Sequence, residues 1–134
     1  MKKRTVILDS YALMAFFEEE EGAREVLNLL TLASTGTVEL VMSVVNWGEV
    51  YYISLREYGE NAAENIAAAI RTMPVKIIAV DESLAKIAAV FKARYAISYA
   101  DAFACALAKH MNGEVMTGDR EFREVEKEIT VWWI

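Results

Sequence analysis

Cysteine, histidine and proline occur once each among 134 residues, and glycine only six times. The lone Cys105 cannot close an internal disulfide, which points to a reducing compartment. With His110 as the only imidazole, no zinc ligand set of the usual kind can be assembled. So little proline and glycine, beside 55% hydrophobic residues, excludes long disordered linkers. Also missing is any uninterrupted apolar run of membrane-spanning length. Lys2, Lys3 and Arg4 before an apolar stretch imitate a signal peptide, but Asp9 interrupts that stretch and Glu18–Glu21 stand where a small-residue cleavage site is needed. The expectation is one cytoplasmic domain spanning residues 1–134, with no membrane contact. Positive charge is scarce as well. A net charge of −6 excludes broad, sequence-independent binding of nucleic acid through a basic surface, but leaves open phosphate contacts made through bound cations.

What is present is a regular alternation. Thr5–Leu8 is a β-branched run fitting a buried parallel strand, and Ser10 onward reads as a helix capped by Asp9 or Ser10. A second helix fits Ala23–Ala33, followed by a strand at Val38–Ser43 and a helix from about Val45 to Tyr58. Gly59 separates that helix from the next, Asn61–Thr72. Beyond Pro74 come a strand at Val75–Val80, a helix capped by Asp81 and running to about Tyr95, and a helix from Ser98 to about Met111. Gly113 fits a C′ position before the strand Glu114–Thr117, and Ile129–Ile134 reads as the last strand. This order predicts an α/β fold, a three-layer sandwich with a mostly parallel sheet between helical layers. One linkage strains the pattern: residues 96–98 are too few to let both flanking helices run antiparallel to the strands.

Asp9, Glu49, Asp101 and Asp119 each fall where a strand has ended or a helix has begun. In a parallel α/β sheet these positions share the carboxyl edge, where such folds bind ligands. Gathered carboxylates repel unless a cation neutralises them, so the set points to a divalent-metal site. Each acid also has an ordinary role. Asp9 fits a helix cap, Glu49 a solvated first-turn glutamate, Asp101 the fourth position of a capping box begun by Ser98, and Asp119 a Gly-Asp turn. Glu18–Glu21 and Glu121, Glu124, Glu126 and Glu128 read as solvated faces.

At V-I-L-D-S-Y-A-L, N-W-G-E-V, S-Y-A-D-A-F-A-C-A-L-A and M-T-G-D-R-E-F the chain resembles the PIN-domain nucleases, specifically the small VapC-type toxins of toxin–antitoxin pairs. By motif, Asp9, Glu49, Asp101 and Asp119 match that family's acidic site, and Ser10 and Thr117 match the small polar positions beside it. The resemblance implies a five-stranded parallel sheet, RNA cleavage dependent on Mg²⁺ or Mn²⁺, products with 5′-phosphate and 3′-hydroxyl ends, a homodimer, and inhibition by a cognate antitoxin. In such a site Asp9 and Asp119 are expected to contact the metal, with Asp101 and Glu49 holding it directly or through water. Arg120 and Arg123, next to Asp119, are the candidate substrate-binding cations, or else two exposed arginines balancing nearby glutamates.

Two other readings use the same residues. A phosphatase of the haloacid-dehalogenase type needs a second aspartate two residues after the first, where Tyr11 stands. A non-catalytic partner-binding module would keep the acids for structure alone. Tyr51, Tyr52, Ile53, Leu55 and Tyr58 are expected to be mostly core, though their aromatic excess suits a subunit or antitoxin interface. The alternating pattern puts Trp132 and Trp133 on opposite faces of the last strand. Cys105 reads as a small core residue, and His110 as a dipole partner at a helix C-terminus.

Overall fold

A computed structural model of the chain describes residues 3–134. Its elements follow the expected order: β1 (Arg4–Leu8), α1 (Ser10–Phe17), α2 (Ala23–Ser34), β2 (Val38–Ser43), α3 (Val44–Tyr58), α4 (Glu60–Thr72), β3 (Val75–Ile78), α5 (Glu82–Arg94), α6 (Tyr99–Met111), β4 (Glu114–Thr117), a 3₁₀ helix (Arg120–Val125) and β5 (Val131–Trp133). All four strand pairings are parallel, in the order β3-β2-β1-β4-β5. This is the expected three-layer sandwich, with a five-stranded parallel sheet between two helical layers.

The strand order decides which face each helix covers. Right-handed crossovers from β1 to β2 to β3 move in one direction and put α1 to α4 on one face. The return from β3 to β4, and then to β5, moves the other way and puts α5, α6 and the 3₁₀ helix on the opposite face. The side chains obey this division at period two. Val6, Leu8, Leu40, Met42 and Met116 join the first layer, whereas Ile7, Val41 and Val115 join the second. The connections leaving β1 and β4, adjacent strands, therefore diverge to opposite faces, and a crevice opens between their carboxyl ends.

Several local expectations change. The helix before the Tyr95–Ser98 link, α5, packs chiefly on α6 rather than on the sheet, so the short link imposes no conflict. The left-handed residue ending α6 is Asn112 (φ 54°), not Gly113. Gly113 is needed for a different reason: a Cβ there would lie 2.7 Å from the Thr5 carbonyl oxygen and 2.9 Å from Ile7 Cδ1. The last strand is shorter than expected because Ile129 still belongs to the preceding turn, buried with its N–H donating to the Val125 carbonyl at 2.8 Å. Tyr52, Leu55 and Tyr58 are exposed rather than core, since α3 uses Asn46, Val50 and Ser54 as its buried stripe. Trp132 and Trp133 do separate to the two layers, both half-buried. Arg4 lies at the amino end of the sheet, paired with Glu114 and over the Trp132 ring; Lys2 falls outside the described residues. Among the described residues no helix is long and apolar enough to cross a membrane.

Candidate metal centre

Asp9 follows β1 directly. One of its oxygens, Oδ1, accepts from the Ala12 N–H at 2.9 Å and caps α1, as its ordinary role required. Its other oxygen, Oδ2, accepts from the Thr117 hydroxyl at the end of β4. That hydroxyl in turn accepts from the Asp119 N–H at 2.9 Å. Capping and site-building are thus divided between the two oxygens of one carboxylate. Thr117 is fully buried and ties the ends of β1 and β4 together. Thr117→Val should therefore cost about 1–3 kcal/mol in urea unfolding, because it leaves buried partners unsatisfied at unchanged volume, whereas Thr117→Ser should stay near wild type.

Glu49 is held from both sides. The Ser10 hydroxyl donates to its Oε1 at 2.9 Å and the Asn46 amide donates to the same atom at 3.1 Å. Asn46, one turn earlier on α3, also donates to the Ala100 carbonyl at 3.2 Å, fastening α3 to the start of α6. On α6 Ser98 is the cap, accepting from the Asp101 N–H at 3.1 Å. The reciprocal half of the capping box is not made by Asp101. The Ser98 N–H donates instead to Glu121 Oε1 at 2.9 Å, which leaves the Asp101 carboxylate free to face the crevice.

Glu121 is the residue that pattern reading missed. Grouped with Glu124, Glu126 and Glu128 it looked like part of a solvated run. The 3₁₀ helix, whose start Asp119 caps through the Glu121 N–H, turns it back toward α6. One carboxylate oxygen from each of Asp101, Asp119 and Glu121 lies within 4.8 Å of the others. Asn46 was also passed over, though its place three residues before Glu49 on a helix was a usable signal.

The electrostatics show how poorly these charges suit one another without a counter-ion. Burial pushes the Asp9 carboxyl up to about 7, against hydrogen bonds from Thr117 and the Ala12 N–H that favour its charge, with Asp119 and Glu49 adding repulsion. Burial likewise raises Asp101 well above the carboxylate range, reinforced by Glu121 and Asp119. Glu121 moves down, because a protonated Asp101 would donate to it. Ionised, Asp101 has an oxygen with no donor: Asp101 Oδ2 and Asn46 Oδ1 are the buried side-chain atoms without a partner among the described residues. Both lie in this site. An acceptor-only set of oxygens, with one buried and orphaned, fits a hard divalent cation such as Mg²⁺ or Mn²⁺. By contrast the Cys105 thiol, buried in the α6 core, is pushed up to about 12 and is inert.

A profile of the PIN domain matches residues 6–128. The chain belongs to the PIN-domain family. Solved structures of similar fold come from several bacteria. The VapBC2 complex of Rickettsia felis, bound to a DNA fragment from its promoter, superposes with a TM-score of 0.75 at 12% identity, covering 96% of this chain and 98% of that one. DNA-bound VapBC of Salmonella typhimurium gives 0.75 at 17% identity, covering 97% and 98%. VapC20 of Mycobacterium tuberculosis, a toxin that cleaves the sarcin–ricin loop, gives 0.70 at 19% identity, covering 93% of this chain and 96% of that one. Curated protein sequences yielded no match. At these identities the likeness is one of PIN fold, and the acids above stand where this PIN domain opens its crevice.

Proposed function

We propose that this PIN domain is a divalent-metal-dependent endoribonuclease and the toxin of a type II toxin–antitoxin pair, acting in the cytoplasm. The main support is the meeting of one carboxylate oxygen each from Asp101, Asp119 and Glu121 within 4.8 Å, with Asp9 near enough to feel Asp119 and Glu49, and a buried Asp101 oxygen lacking any protein donor. In this reading Asp9, Asp101 and Asp119 hold Mg²⁺ or Mn²⁺, joined by Glu49 and Glu121 directly or through water. When bound, such an ion neutralises phosphate charge and makes water nucleophilic at neutral pH.

The chain's own groups supply position and restraint. Thr117 and Ser10 orient the Asp9 and Glu49 oxygens through the hydrogen bonds given above. Asn46 keeps α3 and α6 in register, so that Glu49 and Asp101 do not drift apart. Glu121 holds the first turn of α6, whose positive dipole end faces the crevice and favours anionic groups there. Beside the acids lies an open trough of about 410 Å³, where Asp119 is joined by Glu18, Glu20 and Glu57, so this side of the crevice favours cations over a phosphate backbone.

The partner assignments rest on surface chemistry. Tyr52, Leu55 and Tyr58 expose large apolar groups on one side of α3, which suits burial against a second copy or an antitoxin. The decisive experiment is incubation of RNA with the purified protein and Mg²⁺ or Mn²⁺, followed by sequencing of the ends. Internal breaks with 5′-phosphate and 3′-hydroxyl termini, absent in EDTA, are expected. Intact RNA with every divalent ion tried would favour the non-catalytic binding module.

A further inference from the structure

On the far side of Tyr11 from the acidic trough lies a second cavity of about 410 Å³, bounded by Tyr11, Gly118, Arg120, Arg123, Trp133 and Ile134. Tyr11 is the wall between the two, since it lines both. The second cavity inverts the chemistry of the first: two guanidinium groups and two aromatic rings replace carboxylates. Its volume falls within the roughly 300–1,000 Å³ of small-ligand sites, enough for one nucleotide.

Three observations mark it as more than a crease between surface side chains. First, the arginines are not balancing their neighbours. Among the described residues the ion pairs are Arg4 with Glu114 and Lys109 with Glu128, and neither Arg120 nor Arg123 takes part in one. Three of the four nearby glutamates have other partners: Glu121 accepts from Ser98, Glu126 from the Trp133 indole, and Glu128 from Tyr95 and Lys109, while Glu124 pairs with neither arginine. Second, the rings are held. The Trp133 Nε1–H donates to Glu126 at 3.1 Å, and Tyr11 lies so close over Gly118 that a Cβ there would be 2.3 Å from its Cε1. Only glycine lets that ring rest on the β4 turn. Third, the cavity adjoins the acids through the backbone itself, because Gly118 and Arg120 flank Asp119.

We propose that this cavity is a nucleotide subsite, taking one RNA residue next to the scissile phosphate, with its base against Tyr11 and Trp133 and its phosphate on Arg120 and Arg123. The inference rests on the ribonuclease reading for its substrate. Planar guanidinium forks match phosphate oxygens, and aromatic rings accept any base face. Such a pairing resolves the conflict between an acidic chain and an anionic substrate. The strand is attracted locally, one residue away from the carboxylates, rather than by the surface as a whole.

The test is RNA binding without cleavage, measured by fluorescence anisotropy with a labelled oligoribonucleotide at low salt in EDTA. All proteins carry Asp101→Asn to weaken repulsion and prevent hydrolysis. Relative to that parent, Arg120→Gln/Arg123→Gln and Tyr11→Leu should each weaken binding at least about tenfold. Lys86→Gln/Arg94→Gln, which removes equal charge from exposed positions on α5, should change it less than about twofold. Bound RNA should also quench tryptophan emission, and Trp133→Phe should remove most of that quenching. Equal losses in the α5 control and the cavity variants would overturn the proposal, as would no measurable binding by the parent or quenching that survives Trp133→Phe. RNA that binds the cavity yet is never cut by the wild-type protein with any divalent ion would leave the subsite standing and sink the nuclease reading instead.

Discussion

Asp101→Asn should lower RNA hydrolysis at least about a hundredfold while raising the stability of the metal-free protein. The first effect follows from the role proposed for Asp101: residues that merely support a metal ligand typically cost 10–100-fold when lost, and a ligand should cost no less. The second follows from burial. Asp101 is 5% exposed, its Oδ2 has no donor, and Asp119 and Glu121 crowd it with like charge. An asparagine amide is neutral and can donate to either neighbour, while the Ser98 cap is untouched because it binds the backbone N–H of residue 101. Relief of one unsatisfied buried polar group is worth about 1–3 kcal/mol. Added Mn²⁺ should raise the melting temperature of the wild type and do so far less for the variant, since only a ligand that prefers the folded state stabilises it. Activity and stability moving in opposite directions is what separates a functional carboxylate from a structural one. A variant that melts lower without metal, or that retains full turnover, would remove Asp101 from the site.

Much of this site was legible in the chain because its parts sit at element boundaries. Asp9 after a β-branched run, Asp101 one turn past Ser98, and Asp119 after Thr117-Gly118 are readable from strand and helix punctuation alone. Once the strands are taken as parallel, they share an edge. The strand order was not readable, and with it the divergence of β1 and β4 that opens the crevice. Glu121 was hidden because the 3₁₀ turn that Asp119 caps brings it against the start of α6, which its place in an acidic run does not show. Its backbone-capping role depends on Ser98, 23 residues earlier, a contact no local pattern encodes. The α3 aromatics misled in the opposite sense. Tyr52, Leu55 and Tyr58 carry the hydrophobicity of a core face, yet the helix buries the smaller Asn46, Val50 and Ser54. Small buried residues allow α3 to approach Met14 and the start of α6 closely, as the Ser54 and Asn46 contacts record.

Without metal, the protein should lose stability as pH rises through the range in which most proteins gain it. The sign comes from Asp9, whose folded-state value of about 7 stands above the ordinary 3.8. A group shifted upward stabilises the fold fully below its unfolded value and loses that contribution as pH climbs through its folded value. Between about pH 4 and pH 7 the Asp9 contribution should therefore fall by about 4 kcal/mol, taken from a shift of roughly three units. Asp101, displaced the same way by burial, extends the decline to higher pH. Glu121 and Glu128 are shifted downward and oppose the trend below the ordinary carboxylate range, but both are solvent-exposed, so screening keeps their effect small. Asp9→Asn should flatten the slope, since the amide oxygen still caps Ala12 while its nitrogen can donate to Thr117. Saturating Mn²⁺ should flatten it too, because a cation takes the place of the protons, and its binding near pH 7 should release them. Calorimetric titration in two buffers of different ionisation enthalpy would count that release. Melting curves in EDTA that rise steadily from pH 4 to pH 8, or metal binding with no protons released, would show that these carboxylates are already at ease without a cation.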